Sequence, residues 1–380
     1  MLTLWTSHAK FHNFDRSVSP ILRLSTDQNR PKPLRERELY LGDPTLMPEG
    51  FTGAVVVGES PVSGEAPTLN LPEEFSYLGD GDIIRIEPEH GRIRVIFREN
   101  SNQNSFLLTE RCNHYCLMCS QPPRNVDDGW IVDETLEVIR MLPQSTREIG
   151  FTGGEPTLLG DRFIELVAAM KCYLPETTLH VLTNGRTFAS SEFCKQITKI
   201  GHHDLMFGIP VYADVSTIHD YIVQADGAFD ETIRGIVNLK RFGQKVELRV
   251  VLHKQSLPRL QGLAEFIVRN LMFVDHIALM GLEVTGFTKA NMPDLWIDPY
   301  NYMPELADAA LYLEAAGMNI SIYNLQHCLL DKRVWHFSRH SISDWKNEYL
   351  DVCKDCNLLT DCGGLFSTGM SKISDHIRPF

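Results

Sequence analysis

No stretch of this chain approaches the roughly 20 apolar residues that a bilayer-crossing helix needs, and its opening, MLTLWTSHAKFHN, lacks the charged-then-apolar pattern of a signal peptide. A membrane partner is not expected; a cytoplasmic location is. Basic charge is scarce too: 36 Lys and Arg against 49 Asp and Glu leave a formal net charge of −13, so the concentrated cationic face that nucleic acid requires is not expected. Cysteine is sparse and odd in number, nine in 380 residues, which does not suit the paired disulfide framework of a small secreted fold. Reduced thiols in such a chain are available for metals or catalysis.

The nine thiols are unevenly placed. Cys112, Cys116 and Cys119 cluster early, and Cys353, Cys356 and Cys362 cluster near the end. Cys172, Cys194 and Cys328 stand apart. Cys172 follows the apolar stripe Phe163, Leu166, Val167 and Met170, so it and Cys194 read as small buried hydrophobes.

Residues 1–100 carry many prolines, glycines and charges, then short β-like runs such as GAVVV. The stretch DIIRIEPEHGRIRVIF reads as a hairpin turning at Glu89 to Gly91. A small β-rich N-terminal domain is expected there, with a docking or scaffold role. Over 101–325 the texture changes to the apolar runs SFLLTE, EIGFTG, LHVLTN, DLMFGIPVY, VELRVVLH, HIALMGLEV and NISIYNL, separated by helical stripes. The stripes include Ile233, Ile236 and Val237, then Leu260, Leu263, Ile267 and Leu271, then Leu306, Ala309, Ala310 and Leu313. This alternation predicts an α/β fold of parallel βαβ units, a partial (β/α)6 TIM-like barrel. Its chemistry belongs on the loops after the strands. Residues 326–380 lose the alternation and read as a C-terminal extension held partly by metal.

CNHYCLMC, residues 112–119, begins directly after SFLLTER. Three thiolates on a loop are either three ligands of an iron–sulfur cluster with one position open, or an incomplete structural zinc site, which is normally closed by a fourth Cys or His. His114 lies too close to both flanking cysteines to complete a tetrahedron and reads as an exposed loop residue. The spacing favours iron and sulfur.

This arrangement resembles the radical SAM superfamily, in which the open iron holds S-adenosylmethionine. The resemblance extends to Gly153, Gly154, Glu155 and Pro156 after the second strand, which look like the motif for the cofactor's amino group. There the two glycines are expected to let backbone approach the ligand. It extends also to Asn184 in LTNGR near the ribose, and to Arg249 on the fifth strand for the cofactor carboxylate. Gly281 and Leu282 on the sixth strand are read as offering backbone to the adenine. Met118 stands where an aromatic residue is usual, and Pro210 where many relatives have Ser. Tyr212, Asp214, His219 and Glu283 sit near strand ends as candidates for proton or hydrogen handling, though His219-Asp220 reads equally as helix-start chemistry.

CKDCNLLTDCGGLF resembles the auxiliary-cluster segment of radical SAM peptide maturases of the SPASM or twitch type. It implies a second, auxiliary [4Fe-4S] cluster on Cys353, Cys356 and Cys362, with Cys328 as fourth ligand. A four-cysteine zinc site and a His327 ligand are the alternatives. With CNHYCLMCSQPP, GIPVYADVSTIHDYIVQADGAFD and SISDWKNEY, the whole is similar to the C-type radical SAM maturases of the His-Xaa-Ser system. That likeness implies a [4Fe-4S] cluster binding S-adenosylmethionine and a substrate protein with His-Xaa-Ser repeats. It further implies a second radical SAM maturase, a small partner protein and an electron donor. Two other classes share many of these features: a radical SAM enzyme acting on a free small molecule, and a non-enzymatic iron–sulfur electron carrier.

Overall fold

The computed structural model describes residues 2–14, 20–58, 65–341, 343 and 346–380. The SISDWKNEY stretch therefore lies outside the described residues at 342, 344 and 345.

The seven apolar runs each form a strand: Asn104–Leu107, Glu148–Thr152, Thr178–Leu182, Leu205–Pro210, Lys245–Leu252, His276–Gly281 and Ile320–Tyr323. They pair in sequence order, all parallel, and Ser338–Arg339 adds a short eighth strand beside the seventh. The first and eighth strands are the sheet's two edges, so the curl stays open as a half-barrel.

Period-two alternation divides the fifth strand between two environments. Val246, Leu248, Val250 and Leu252 point outward into the core, while Glu247, Arg249 and Val251 point the other way. The outer layer is the set of crossover helices. Asp161–Tyr173 buries Phe163, Leu166, Val167 and Met170, and Leu260–Asn270 buries Leu260, Leu263 and Ile267. Ser191–Ile200 begins at Ser190, whose hydroxyl accepts from the Phe193 N–H at 3.5 Å, and stops at the left-handed Gly201.

Two sequence expectations fail here. Helix Ala228–Arg241 buries Thr232, Gly235, Ile236 and Leu239, leaving Val237 exposed. Gly235 takes the contact position because a Cβ there would run into the Gly185 carbonyl. Cys172 is exposed, because it falls one position beyond Lys171 on the solvent side of its helix; Cys194 is fully buried as expected.

The N-terminal residues form a separate eight-stranded mixed sheet. Its hairpin, Ile83–Glu87 with Arg92–Phe97, turns through a left-handed Gly91 as the sequence implies. Arg85 and Arg94 of that hairpin both pair with the buried Glu134 on the first crossover helix, Trp130–Ile139, the Arg85 contact at 2.7 Å. Ile21, Ile83 and Phe97 join the half-barrel core itself.

Candidate functional site

The loop from Thr109 to Cys119 leaves the first strand and is fastened to the loop after the second. Gly154 N–H donates to the Thr109 carbonyl at 2.8 Å, and Glu155 N–H donates to the Arg111 carbonyl at 2.8 Å. A Cβ on Gly153 would strike the Thr109 carbonyl, and one on Gly154 the Arg111 carbonyl. Both glycines are therefore required by the cysteine-bearing segment. Pro156 opens a short 3-10 turn, where its missing N–H costs nothing.

Glu155 has no exposed surface. One carboxylate oxygen accepts from Thr157 N–H at 3.0 Å, Thr157 hydroxyl at 2.5 Å and Thr183 hydroxyl at 2.6 Å; the other accepts from Asn184 N–H at 2.6 Å. Burial pushes its pKa up, against the pull of these donors. The carboxylate thus ties the ends of strands two and three together. Asn184 then donates from its side-chain amide to the Asn113 side-chain oxygen at 2.6 Å, closing a ring back to the cysteine loop.

A third brace comes from the loop after strand six. Phe287 N–H donates to the Cys119 carbonyl at 2.9 Å, and the Asn291 amide donates to the Leu117 carbonyl at 2.8 Å. Helix Ser216–Val223 supplies the fourth, accepting from Tyr115 and Leu117 N–H. His114 N–H donates to Cys112 Sγ at 3.3 Å. The His114 ring is 3% exposed with neither nitrogen hydrogen-bonded, so it is a buried residue and not the exposed one its polar neighbours suggest. Burial holds its pKa down at about 3.

Burial pushes the Cys112 thiol up to about 12 and raises Cys116 and Cys119 as well. Unliganded, these are poor thiolates; a bound cation reverses that preference. Among the described residues no three His, Cys, Asp or Glu side chains close on a single-ion position. A cluster instead spreads its thiolates over separate irons, and three half-buried thiols on one braced loop fit that donor set.

Inside the half-barrel, Arg249 donates to Glu247 at 2.5 Å and to the Met280 sulfur at 3.2 Å. It is already paired, with a partner that the sequence does not reveal. Glu247 also meets His276 Nδ1 at 2.8 Å, whose Nε2 reaches Ser321 at 3.0 Å. Burial alone would push Glu247 up, but His276 and Arg249 hold its pKa down at about 2. Met118 and Leu282 come together in an apolar cluster with Tyr212 and Ile222. The Gly281 carbonyl accepts from the Asn324 amide at 3.0 Å, so that backbone group is engaged within the protein.

Of the remaining candidates, Asp214 pairs with Arg259, and Asp220 accepts from Gly227 and Phe229 N–H at 2.8 Å each, starting helix Ala228–Arg241. His219 is fully buried and accepts from Tyr212 N–H at 3.2 Å. Glu283 meets the Thr368 hydroxyl and, at 3.8 Å, Lys346.

The second cysteine group converges on one pocket. Cys328, Cys353, Cys356 and Cys362 all line it. His327 N–H donates to Cys362 Sγ at 3.4 Å. The buried His327 ring lines the same pocket with both nitrogens unpartnered. Four thiols lining one pocket fit a closed cluster site. The loop bearing Cys328 is held by Asn324, a left-handed residue whose side-chain oxygen accepts from Phe366 N–H at 3.1 Å, and by Gln326, whose amide donates to the Gly364 carbonyl at 2.7 Å. Neither Asn324 nor Gln326 stands out by motif; the signal that could find them is two polar residues in an otherwise apolar strand exit.

Residues 106–267 match the family model described as the radical SAM superfamily. Among curated proteins, Fe-coproporphyrin III synthase of Methanosarcina barkeri is 28% identical over 156 residues, 40% of this chain and 37% of that one. Molybdenum cofactor biosynthesis protein 1 of Drosophila melanogaster is 30% identical over 155 residues, 34% of this chain and 26% of that one. The matches thus span less than two-fifths of these relatives' lengths. Among solved structures, Streptococcus suis SuiB bound to S-adenosylmethionine aligns with a TM-score of 0.49 at 16% identity, covering 64% of this chain and 53% of that one. No helix among the described residues is long and apolar enough to cross a membrane. The braced cysteine triplet lies within residues 106–267, the stretch that is similar to the radical SAM superfamily.

Proposed function

We propose that this chain is a radical SAM peptide maturase acting on a protein segment with His-Xaa-Ser repeats. The observation that carries the enzymatic part is the convergence of two thiol groups on loops that follow parallel strands, three after strand one and four beyond strand seven. The substrate class rests on the family likeness of the motif set. Cys112, Cys116 and Cys119 would hold the [4Fe-4S] cluster, and Cys328, Cys353, Cys356 and Cys362 an auxiliary one. When bound, the cluster and S-adenosylmethionine supply a 5′-deoxyadenosyl radical by one-electron reductive cleavage, which abstracts hydrogen from substrate.

The chain's own residues bind, orient and exclude water. Glu155 is sealed from solvent and acts by fixing the loops that carry Asn113, Asn184 and the glycine pair. Arg249, with one side satisfied by Glu247, is the candidate for the cofactor carboxylate. Met118 and Leu282 offer an apolar flank for the adenine. A second maturase, a small partner protein and an electron donor complete the proposed system.

The test is anaerobic reconstitution with reductant, S-adenosylmethionine and a His-Xaa-Ser repeat peptide, reading 5′-deoxyadenosine and peptide mass together. Both should change, and Cys116→Ala should abolish both. Cofactor cleavage with an unaltered peptide and a consumed metabolite would move the substrate to the small-molecule class. No cleavage by the reduced, iron-loaded protein would leave an electron carrier.

A further inference from the structure

Cys328, Cys353, Cys356 and Cys362 leave one side of their pocket to a segment that carries no cysteine. Ile377, Arg378 and Phe380 line that side. We infer that Ile377–Phe380 is part of the auxiliary cluster's binding site, supplying a backbone donor to one of its four sulfurs and covering it from solvent. The inference rests on reading those four cysteines as a cluster site.

Phe380 N–H donates to Cys356 Sγ at 3.5 Å, and Arg378 lines the pocket beside Cys328. Asn357 N–H, one residue past Cys356, returns a bond to the Phe380 carbonyl at 3.3 Å. The segment is therefore tied to the Cys356 stretch and shares a pocket wall with Cys328. The Phe380 ring meets Trp335 edge-on at 5.4 Å, and Trp335 also stacks on His327 at 5.0 Å. The Lys332 ammonium sits 5.5 Å from the Trp335 ring and 5.7 Å from that of Phe380. Upstream, His376 stacks on Tyr300 at 3.9 Å and Lys372 lies 4.4 Å from the Trp296 ring. These contacts anchor the approach to the loops after strand six.

Hydrogen bonds to the sulfurs and exclusion of solvent are the levers by which protein sets the properties of an iron–sulfur cluster, and access governs how fast a thiol is modified. Removing the segment removes a donor and a wall together.

The test uses C112A/C116A/C119A, which isolates the second site, with and without residues 377–380, and with Phe380→Ala as a milder variant. Loss of cluster absorbance to an iron chelator should run about tenfold faster without the segment and a few-fold faster in Phe380→Ala. In the metal-free protein, alkylation of Cys328 and Cys356 by iodoacetamide, read by peptide mass, should accelerate about tenfold. The buried Cys194 should stay protected in every variant, reporting an intact core, and the exposed Cys172 sets the reference rate. Equal chelation and alkylation rates with and without the segment would overturn the inference. Absence of iron from C112A/C116A/C119A would overturn the cluster reading alone, with the alkylation arm still deciding the cover.

Discussion

The two thiol groups are held in opposite ways. Cys112, Cys116 and Cys119 come from eight consecutive residues and are held from outside, by backbone from the glycine pair, the loop after strand six and helix Ser216–Val223. Cys328, Cys353, Cys356 and Cys362 come from two stretches, and their own short turns and neighbouring N–H groups shape the pocket. Three thiols leave a cluster position free for a ligand; four close it. The difference teaches that the triplet is fixed by the barrel around it, whereas the four-thiol group is fixed by contacts among its own two stretches and the chain beside them.

The largest effect expected from breaking this contrast is Cys116→Ala, which should bring 5′-deoxyadenosine to background in the reconstituted protein. Gly154→Ala comes next. Its Cβ would displace the Arg111 carbonyl, so cofactor cleavage should fall by about tenfold or more while iron at the second site stays. Cys328→Ala should do the reverse. Iron per chain should drop by about half, as one of two four-iron clusters goes, with cofactor cleavage largely kept. If Cys328→Ala instead ends cleavage, the two sites are not separable.

Glu155→Gln sharpens the bracing argument. A neutral amide cannot accept from all four donors, so apoprotein stability in urea should fall by roughly 2–4 kcal/mol. A further effect is pH-dependent. Burial holds His180, His219 and His253 down at about 4 from an ordinary 6.5. The unfolded chain therefore binds protons that the folded chain refuses between these values. Stability is full above about 6.5 and is lost as pH falls, on the order of 1.4 kcal/mol per unit for each histidine. Urea midpoints of the apoprotein from pH 7 to 5 should show the slope, and His180→Gln should make it shallower.

Much of the fold is legible in the sequence because burial on both faces writes strands as short apolar runs, and all seven core runs are strands. The N-terminal sheet is only partly legible. Strands such as Ile21–Ser25 and Glu38–Leu41 are as short as ordinary loops and carry charges. At the site, CNHYCLMC and GGEP stand out because their spacing is local. What stays hidden depends on distant partners: Asn184 finds Asn113 across 71 positions, and Asn324 finds Gly281 across 43. Periodicity reports that a residue is buried but not against what. His114 reads as exposed for that reason, although it is buried in the folded chain. The glycine pair is conspicuous for its conformational freedom, yet only the structure shows that the space it opens is filled by residues 109–111.

Electron paramagnetic resonance of the reduced, reconstituted protein, recorded with and without S-adenosylmethionine, most directly tests the division between an open triplet and a closed four-thiol site. Two signals should appear, one shifted by the cofactor and lost in C112A/C116A/C119A, the other indifferent to it and lost in Cys328→Ala. A cofactor-induced shift that survives in C112A/C116A/C119A, or a single signal shared by both sites, would contradict it.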